Sequence, residues 1–104
     1  MILGKGRFTC RSGVEYEGDF VRGEMQGNGT RRWPDGSVYV GQFQEGEQHG
    51  EGTFMGWNGE RYNGSWYRNK YQNQGVLLLR NKDEYDGSFN EHHFEGHGRY
   101  QWRW

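Results

Sequence analysis

The chain has 104 residues, a formal net charge of −1 and one cysteine. That charge balance removes the whole-surface attraction by which basic domains hold nucleic acid or anionic membranes, and a lone Cys10 excludes an internal disulfide framework and fits a reducing compartment. Only 31% of residues are hydrophobic, yet 17% are aromatic and 19 are glycine, so a core must come from rings, each able to bury roughly 150–250 Å².

In chain order, the opening Met1-Ile2-Leu3-Gly4 lacks the long apolar region of a secretory signal. Gly4 to Val14 reads as the second half of a repeat, with Phe8 and Cys10 inward. Then Tyr16-Glu17-Gly18-Asp19-Phe20 begins a pattern that returns at Tyr39-Val40-Gly41-Gln42-Phe43, Tyr62-Asn63-Gly64-Ser65-Trp66 and Tyr85-Asp86-Gly87-Ser88-Phe89, 23 residues apart each time. Every glycine except Gly56 falls in one of five phases of that period. The organisation is a half repeat over 1–15, then repeats starting near Tyr16, Tyr39, Tyr62 and Tyr85, the last incomplete at Trp104. The aliphatic run Val76-Leu77-Leu78-Leu79 is far too short for a bilayer span.

Each Tyr-x-Gly-x-aromatic segment alternates with period two, as does each return segment such as Gly52-Thr53-Phe54-Met55-Gly56, and no window carries apolar residues at helical spacing. The fold class is therefore all-β: a single-layer, elongated antiparallel meander of nine short strands in consecutive hairpins. Gly13, Gly36 and Gly59 suit a left-handed position in a three-residue hairpin loop. Lys82, in the fourth such slot, is expected to cost about 1 kcal/mol, with Asn81 beside it sharing the strain. Taking Asp35-Gly36-Ser37 as the loop, Trp33 faces Tyr39, Gly41 faces Arg31 and Phe43 faces Gly29, so that large side chains lie over glycines of the neighbouring strand. At the far end Tyr100 and Trp102 are expected inward.

These residues resemble the MORN repeat, whose consensus runs Tyr-x-Gly-x-Trp/Phe, then Gly-x-x-x-Gly-x-Gly, an aromatic return strand and Pro-Asp-Gly. The unit from Tyr39 through Gly46, Gly50 and Gly52 matches closely, and the resemblance covers essentially the whole chain. It implies a hairpin array that docks partners, often an elongated peptide or helix along a groove, in scaffolds of the cytoskeleton and cilium, at membrane junctions, or as accessory segments of lipid kinases and exchange factors. Departures stand at Asn69 and His92 for Gly23 and Gly46, at Asn73 for Gly50 and at Lys82 for Gly36, and are expected to weaken the third and fourth units most.

No catalytic constellation emerges. Glu15, Glu17 and Asp19 share the non-aromatic face and read as a solvated row. His92, His93 and His97, with Glu95 between, have the look of zinc ligands, but His92 stands in a loop phase and no cysteine is near. Pairs such as Gly27-Asn28-Gly29 recur in every unit with no helix following, which makes them hairpin glycines and not a phosphate loop. Cys10 reads as a small core residue.

The expected function is a non-enzymatic scaffold, without cofactor or metal, that binds a peptide or helix along an aromatic strip of Tyr16, Phe20, Trp33, Tyr39, Phe43, Phe54, Tyr62, Trp66, Tyr85 and Phe89. A second candidate patch lies on the opposite face: Val38 beside Trp57, Val40 beside Met55, with Pro34 at the border. The alternative for Trp57 is that it folds over the hole at Gly56. Rival functions are a peripheral phospholipid-binding module, which the charge balance does not support, and a regulatory segment of a larger enzyme. Location is expected to be cytoplasmic, with the cytoskeleton or cilium as its setting. Terminal strands Gly6 to Cys10 and Gly98 to Trp102 are expected as sheet edges, guarded by Arg7, Arg11, Arg99 and Arg103 and open to weak self-association.

Overall fold

The computed structural model describes residues 3–101 and, within them, every side chain except those of Leu3 and residues 94–97. The expected inward Trp102 and outward Arg103 lie outside the described residues. The strands are β1 (Leu3–Thr9), β2 (Glu15–Val21), β3 (Glu24–Arg32), β4 (Val38–Gln44), β5 (Glu47–Met55), β6 (Arg61–Tyr67), β7 (Lys70–Leu78), β8 (Glu84–Asn90) and β9 (His93–Gln101). They form one open sheet in sequence order, each antiparallel to the next. The described chain measures 49 × 26 × 17 Å. The meander of consecutive hairpins stands as the period required.

Two kinds of connection alternate. At one margin the loops are Arg11-Ser12-Gly13, Pro34-Asp35-Gly36, Trp57-Asn58-Gly59 and Arg80-Asn81-Lys82, closed by N–H to carbonyl bonds such as Trp33 to Ser37 at 3.0 Å and Leu79 to Asp83 at 2.8 Å. Their third residue is left-handed in every case, with φ of 95°, 96°, 92° and, at Lys82, 78°. The Lys82 expectation is thus met in geometry. Asn81 supports it, its Oδ1 accepting the Asp83 N–H as Asp35 Oδ1 accepts that of Ser37. At the other margin Arg22-Gly23, Glu45-Gly46, Arg68-Asn69 and Glu91-His92 form two-residue turns with both φ values positive, the type I′ geometry that matches strand twist.

The expected register needs correction. The loop begins at Pro34, one residue earlier than supposed, because the Ser37 carbonyl is already taken by the Trp33 N–H. Pairing therefore moves by two: Tyr39 faces Arg31, Gly41 faces Gly29 and Phe43 faces Gly27. A two-residue shift keeps every side chain on its face, so the aromatic face survives while the partners change.

Gly–Gly pairs now run across the sheet at Gly18·Gly29, Gly41·Gly52 and Gly64·Gly75. Into the last two of these gaps, and into that of Gly87·Gly98, a tyrosine lies flat. The Tyr39, Tyr62 and Tyr85 rings cover Gly52, Gly75 and Gly98, where a Cβ would collide with them. Each hydroxyl donates to the carbonyl three residues on, at Gln42, Ser65 and Ser88, over 2.8, 2.7 and 3.0 Å. Each tyrosine meets the second aromatic of its own segment edge-to-face at 5.1–5.2 Å, as in Tyr39–Phe43, Tyr62–Trp66 and Tyr85–Phe89. In the first unit the Met25 methyl occupies the gap at Gly29 in place of a ring.

Just past each Gly–Gly pair one residue faces three, as Asp19 faces Gln26, Gly27 and Asn28. The two extra residues of this bulge keep the faces in step and set Met25, Gln48 and Tyr71 opposite Phe20, Phe43 and Trp66 on the aromatic face, where all are buried. Phe8 pairs with Tyr16 and so shares that face, but it is 57% exposed. Its strand is the first of the sheet, with no neighbour on its other side among the described residues to cover it.

Candidate functional site

The aromatic strip divides in two. Tyr39, Phe43, Tyr62, Trp66, Tyr85 and Phe89 are buried, and Tyr39, Tyr62 and Phe89 entirely so. They constitute the core and cannot offer a partner their faces. Tyr16, Phe20, Trp33 and Phe54 are only half-buried and pack on that core. Burial pushes the Tyr39 and Tyr71 phenols well above their usual range and that of Tyr62 up to about 12.

The type I′ turns fold toward this face. The N–H groups of Gly46, Asn69 and His92 donate to the carbonyls of Met25, Gln48 and Tyr71, one hairpin back. The departures from glycine keep the turn geometry and add contacts: Asn69 Oδ1 accepts the Gln48 N–H at 2.8 Å, and His92 Nδ1 sits 3.5 Å from the Tyr71 N–H. Between these turns and the half-buried rings lies a groove of about 280 Å³, lined by Arg31, Trp33, Gln48, Phe54, Trp66, Asn69, Tyr71 and His92. Trp33 and Phe54 meet edge-to-face at 5.6 Å along its wall. A second hollow of about 270 Å³ lies toward β1, lined by Phe8, Cys10, Tyr16, Phe20 and Met25 among others.

Sequence reasoning missed Arg31, Gln48, Asn69 and Tyr71 as members of this site. Met25, Gln48 and Tyr71 are spaced by 23, a phase visible in the sequence, but the bulge that sets them opposite Phe20, Phe43 and Trp66 is not. Arg31 was paired with Gly41 and passed over. It is 8% exposed and sits over the Tyr16 ring at 4.7 Å and the Phe43 ring at 5.4 Å.

On the other face Val38 pairs with Met55 and Val40 with Thr53, each two residues from the expected partner, in a register set by the Glu45-Gly46 turn and the bulge past Gly41. Val40 and Met55 are exposed, and Trp57 is 67% exposed, so its indole does not fold over Gly56. The Trp57 backbone N–H donates to Ser37 Oγ at 3.0 Å. Pairing carries the rows on through Arg61 to Leu78 and through Asn63 to Val76, so polar residues interrupt the apolar patch. The acidic row is solvated and paired: Glu17 with Arg7 and Arg32, Asp19 with Lys5 at 2.8 Å. The Arg32 bond, more than that of Arg7, holds the Glu17 carboxyl below its usual range. Among the described residues no three or more His, Cys, Asp or Glu side chains gather as metal ligands. Glu95 and His97 fall among the side chains that lie outside the described residues.

A family model for the MORN repeat matches residues 16–38, 39–61, 62–84 and 85–104 in succession. No curated protein matches the chain.

Proposed function

The chain belongs to the MORN-repeat family, and from that premise we propose that it is a non-enzymatic scaffold binding a peptide or helix of another protein along the groove between Trp33, Phe54 and the type I′ turns. Repeats of this family are interaction modules for proteins and membranes. The observation that carries the protein reading is the half-buried pair Trp33 and Phe54, rigid rings already desolvated on one side and set on a buried core. Aromatic anchors of this kind dominate protein interfaces. The membrane reading is disfavoured by the outer face, where Lys5 is paired with Asp19 and Arg7 and Arg32 share Glu17, which leaves little net field for an anionic bilayer.

Selection of a random-peptide display library on the chain tests the reading. Selected peptides are expected to lose binding to Trp33→Ala and Phe54→Ala variants whose β-sheet circular dichroism is intact. Sedimentation with phosphatidylserine vesicles is expected to leave the protein in the supernatant. Peptides bound equally by both variants, or protein in the vesicle pellet, contradict it.

A second contact is weak self-association along β1. The exposed Phe8 and the hollow it forms with Gly4, Gly6 and Phe20 favour it, and sedimentation velocity across a wide concentration range tests it.

A further inference from the structure

One position in the period breaks its own rule. Residues 8, 31, 54, 77 and 100 share a phase, and they are Phe, Arg, Phe, Leu and Tyr. The fold asks for an apolar side chain there, and at position 31 it receives a cation. Arg31 is more than nine-tenths buried, yet all its hydrogen-bond partners are neutral. Nη1 donates to Gln48 Oε1 at 2.8 Å and to Asn69 Oδ1 at 3.3 Å, and Nη2 donates to the Gly46 carbonyl at 2.7 Å. Nε is buried with no partner. Among the described residues no carboxylate lies within ion-pair distance of this guanidinium. The rings of Tyr16, Phe43 and Trp33, 4.7 to 5.8 Å from its carbon, offset part of the desolvation. They supply no counter-charge, and a buried charge without one is strongly unfavourable.

We propose, resting on the groove reading above, that Arg31 receives the carboxylate of an aspartate or glutamate in the bound peptide, while an adjacent apolar side chain of that peptide lies against Trp33 and Phe54. The three bonds already made leave Arg31 one N–H donor on Nη2, the other unused N–H being that of the buried Nε. A carboxylate oxygen accepts from the Nη2 donor and brings the missing counter-charge, and charge-assisted bonds of this kind are short and directional. The charge count favours a carboxylate over a phosphate. Among the described residues Arg31 is the one cation lining the groove. The neighbouring Lys70 is engaged with Glu91 at 3.5 Å. His92, its ring against Tyr71 at 4.3 Å, is held by burial below its usual pKa and so stays neutral at pH 7. One positive charge balances a monoanion and leaves a dianion half-compensated.

The test uses peptides selected from a random display library on the full chain. Selected sequences are expected to carry Asp or Glu next to an aromatic or aliphatic residue. Changing that acid to its amide is expected to weaken binding on the order of tenfold or more. Arg31→Phe, which installs the residue natural to positions 8 and 54, is expected to lose the same factor and to become indifferent to the amide change. Should Arg31→Phe fail to fold, the acid-to-amide comparison on the parent chain decides alone. Selected peptides without acidic enrichment, or amide peptides bound as tightly as their parents, overturn the proposal and leave the groove reading standing. Peptides insensitive to Trp33→Ala and Phe54→Ala overturn the groove reading itself. A phosphoserine peptide binding more than tenfold tighter than its aspartate parent reassigns the site to phosphate and also overturns it.

Discussion

The Tyr39 ring lies across Gly52 on the neighbouring strand, and its hydroxyl closes the arrangement by donating to the Gln42 carbonyl at 2.8 Å. The same relation joins Tyr62 to Gly75 and Tyr85 to Gly98. It explains how a one-layer sheet builds a core: the ring turns over its own backbone instead of waiting for a second layer.

A methyl at Gly52 would strike the Tyr39 ring, while Gly46 needs only its left-handed φ of 81° and has no close neighbour. Gly52→Ala is therefore expected to destabilise by about 1–3 kcal/mol, as overpacking does. Gly46→Ala is expected to cost about 1 kcal/mol, the strain of that backbone region. Because the hydroxyl is the first atom struck, Tyr39→Phe is expected to soften the Gly52→Ala penalty. A denaturant double-mutant cycle reads this coupling, and strictly additive effects would contradict the packing.

Lys82 holds a φ of 78° in a loop whose three counterparts are glycine. Lys82→Gly is expected to raise stability by about 1 kcal/mol, and Gly36→Lys to lower it by a similar amount. The Asn81 bond to the Asp83 N–H is retained in both. Thermal melts of the two variants check the pair, and no rise for Lys82→Gly would mean that the loop relaxes at no gain.

Period, strand count, loop glycines and the division into faces were legible because each follows from local chemistry repeated every 23 residues. Register was not. Asp35-Gly36-Ser37 and Pro34-Asp35-Gly36 are both sensible three-residue loops, and only the bond from Trp33 to Ser37 separates them. The β5 partners of Val38 and Val40 depend in turn on the bulge past Gly41, which no local signal marks. Of the expected aromatic strip, Trp33 and Phe54 line the groove, whereas Tyr39 and Tyr62 are fully buried. Gln48 and Tyr71 come to lie opposite Phe43 and Trp66 only through a bulge whose geometry depends on the strand opposite.

Alkaline unfolding should be early and cooperative. A phenol gains charge when it loses its proton, and burial raises the Tyr62 pKa from 10.0 to about 12, with Glu51 adding to the effect. Over that interval the folded state keeps a proton that the unfolded chain has released. The stability is thus complete below pH 10 and falls as pH rises toward 12. Tyr39 and Tyr71 act in the same direction. Tyr62→Phe is expected to make the fall shallower while losing the bond to the Ser65 carbonyl. Urea midpoints between pH 8 and 12 give the slope, and a flat profile would show that these rings are solvated.

Arg31 offers the sharpest separation of stability from function. Its bonds to Gln48, Asn69 and Gly46 are all to neutral acceptors and its Nε is unpartnered, so the fold gains little from the charge. Arg31→Phe removes the cation but strands Gln48 Oε1, itself in a 3% exposed residue, and the two effects oppose one another. Its melting temperature is expected to equal or exceed that of the parent. Arg31→Phe with Gln48→Leu removes cation and acceptor together, and replacing buried ionic groups by apolar ones of similar volume commonly stabilises by about 1–4 kcal/mol. The double variant is expected in that range, with peptide binding impaired. A double variant less stable than the parent would show that the guanidinium braces the type I′ turns through Gly46 and Asn69, and would make its burial a requirement of the fold.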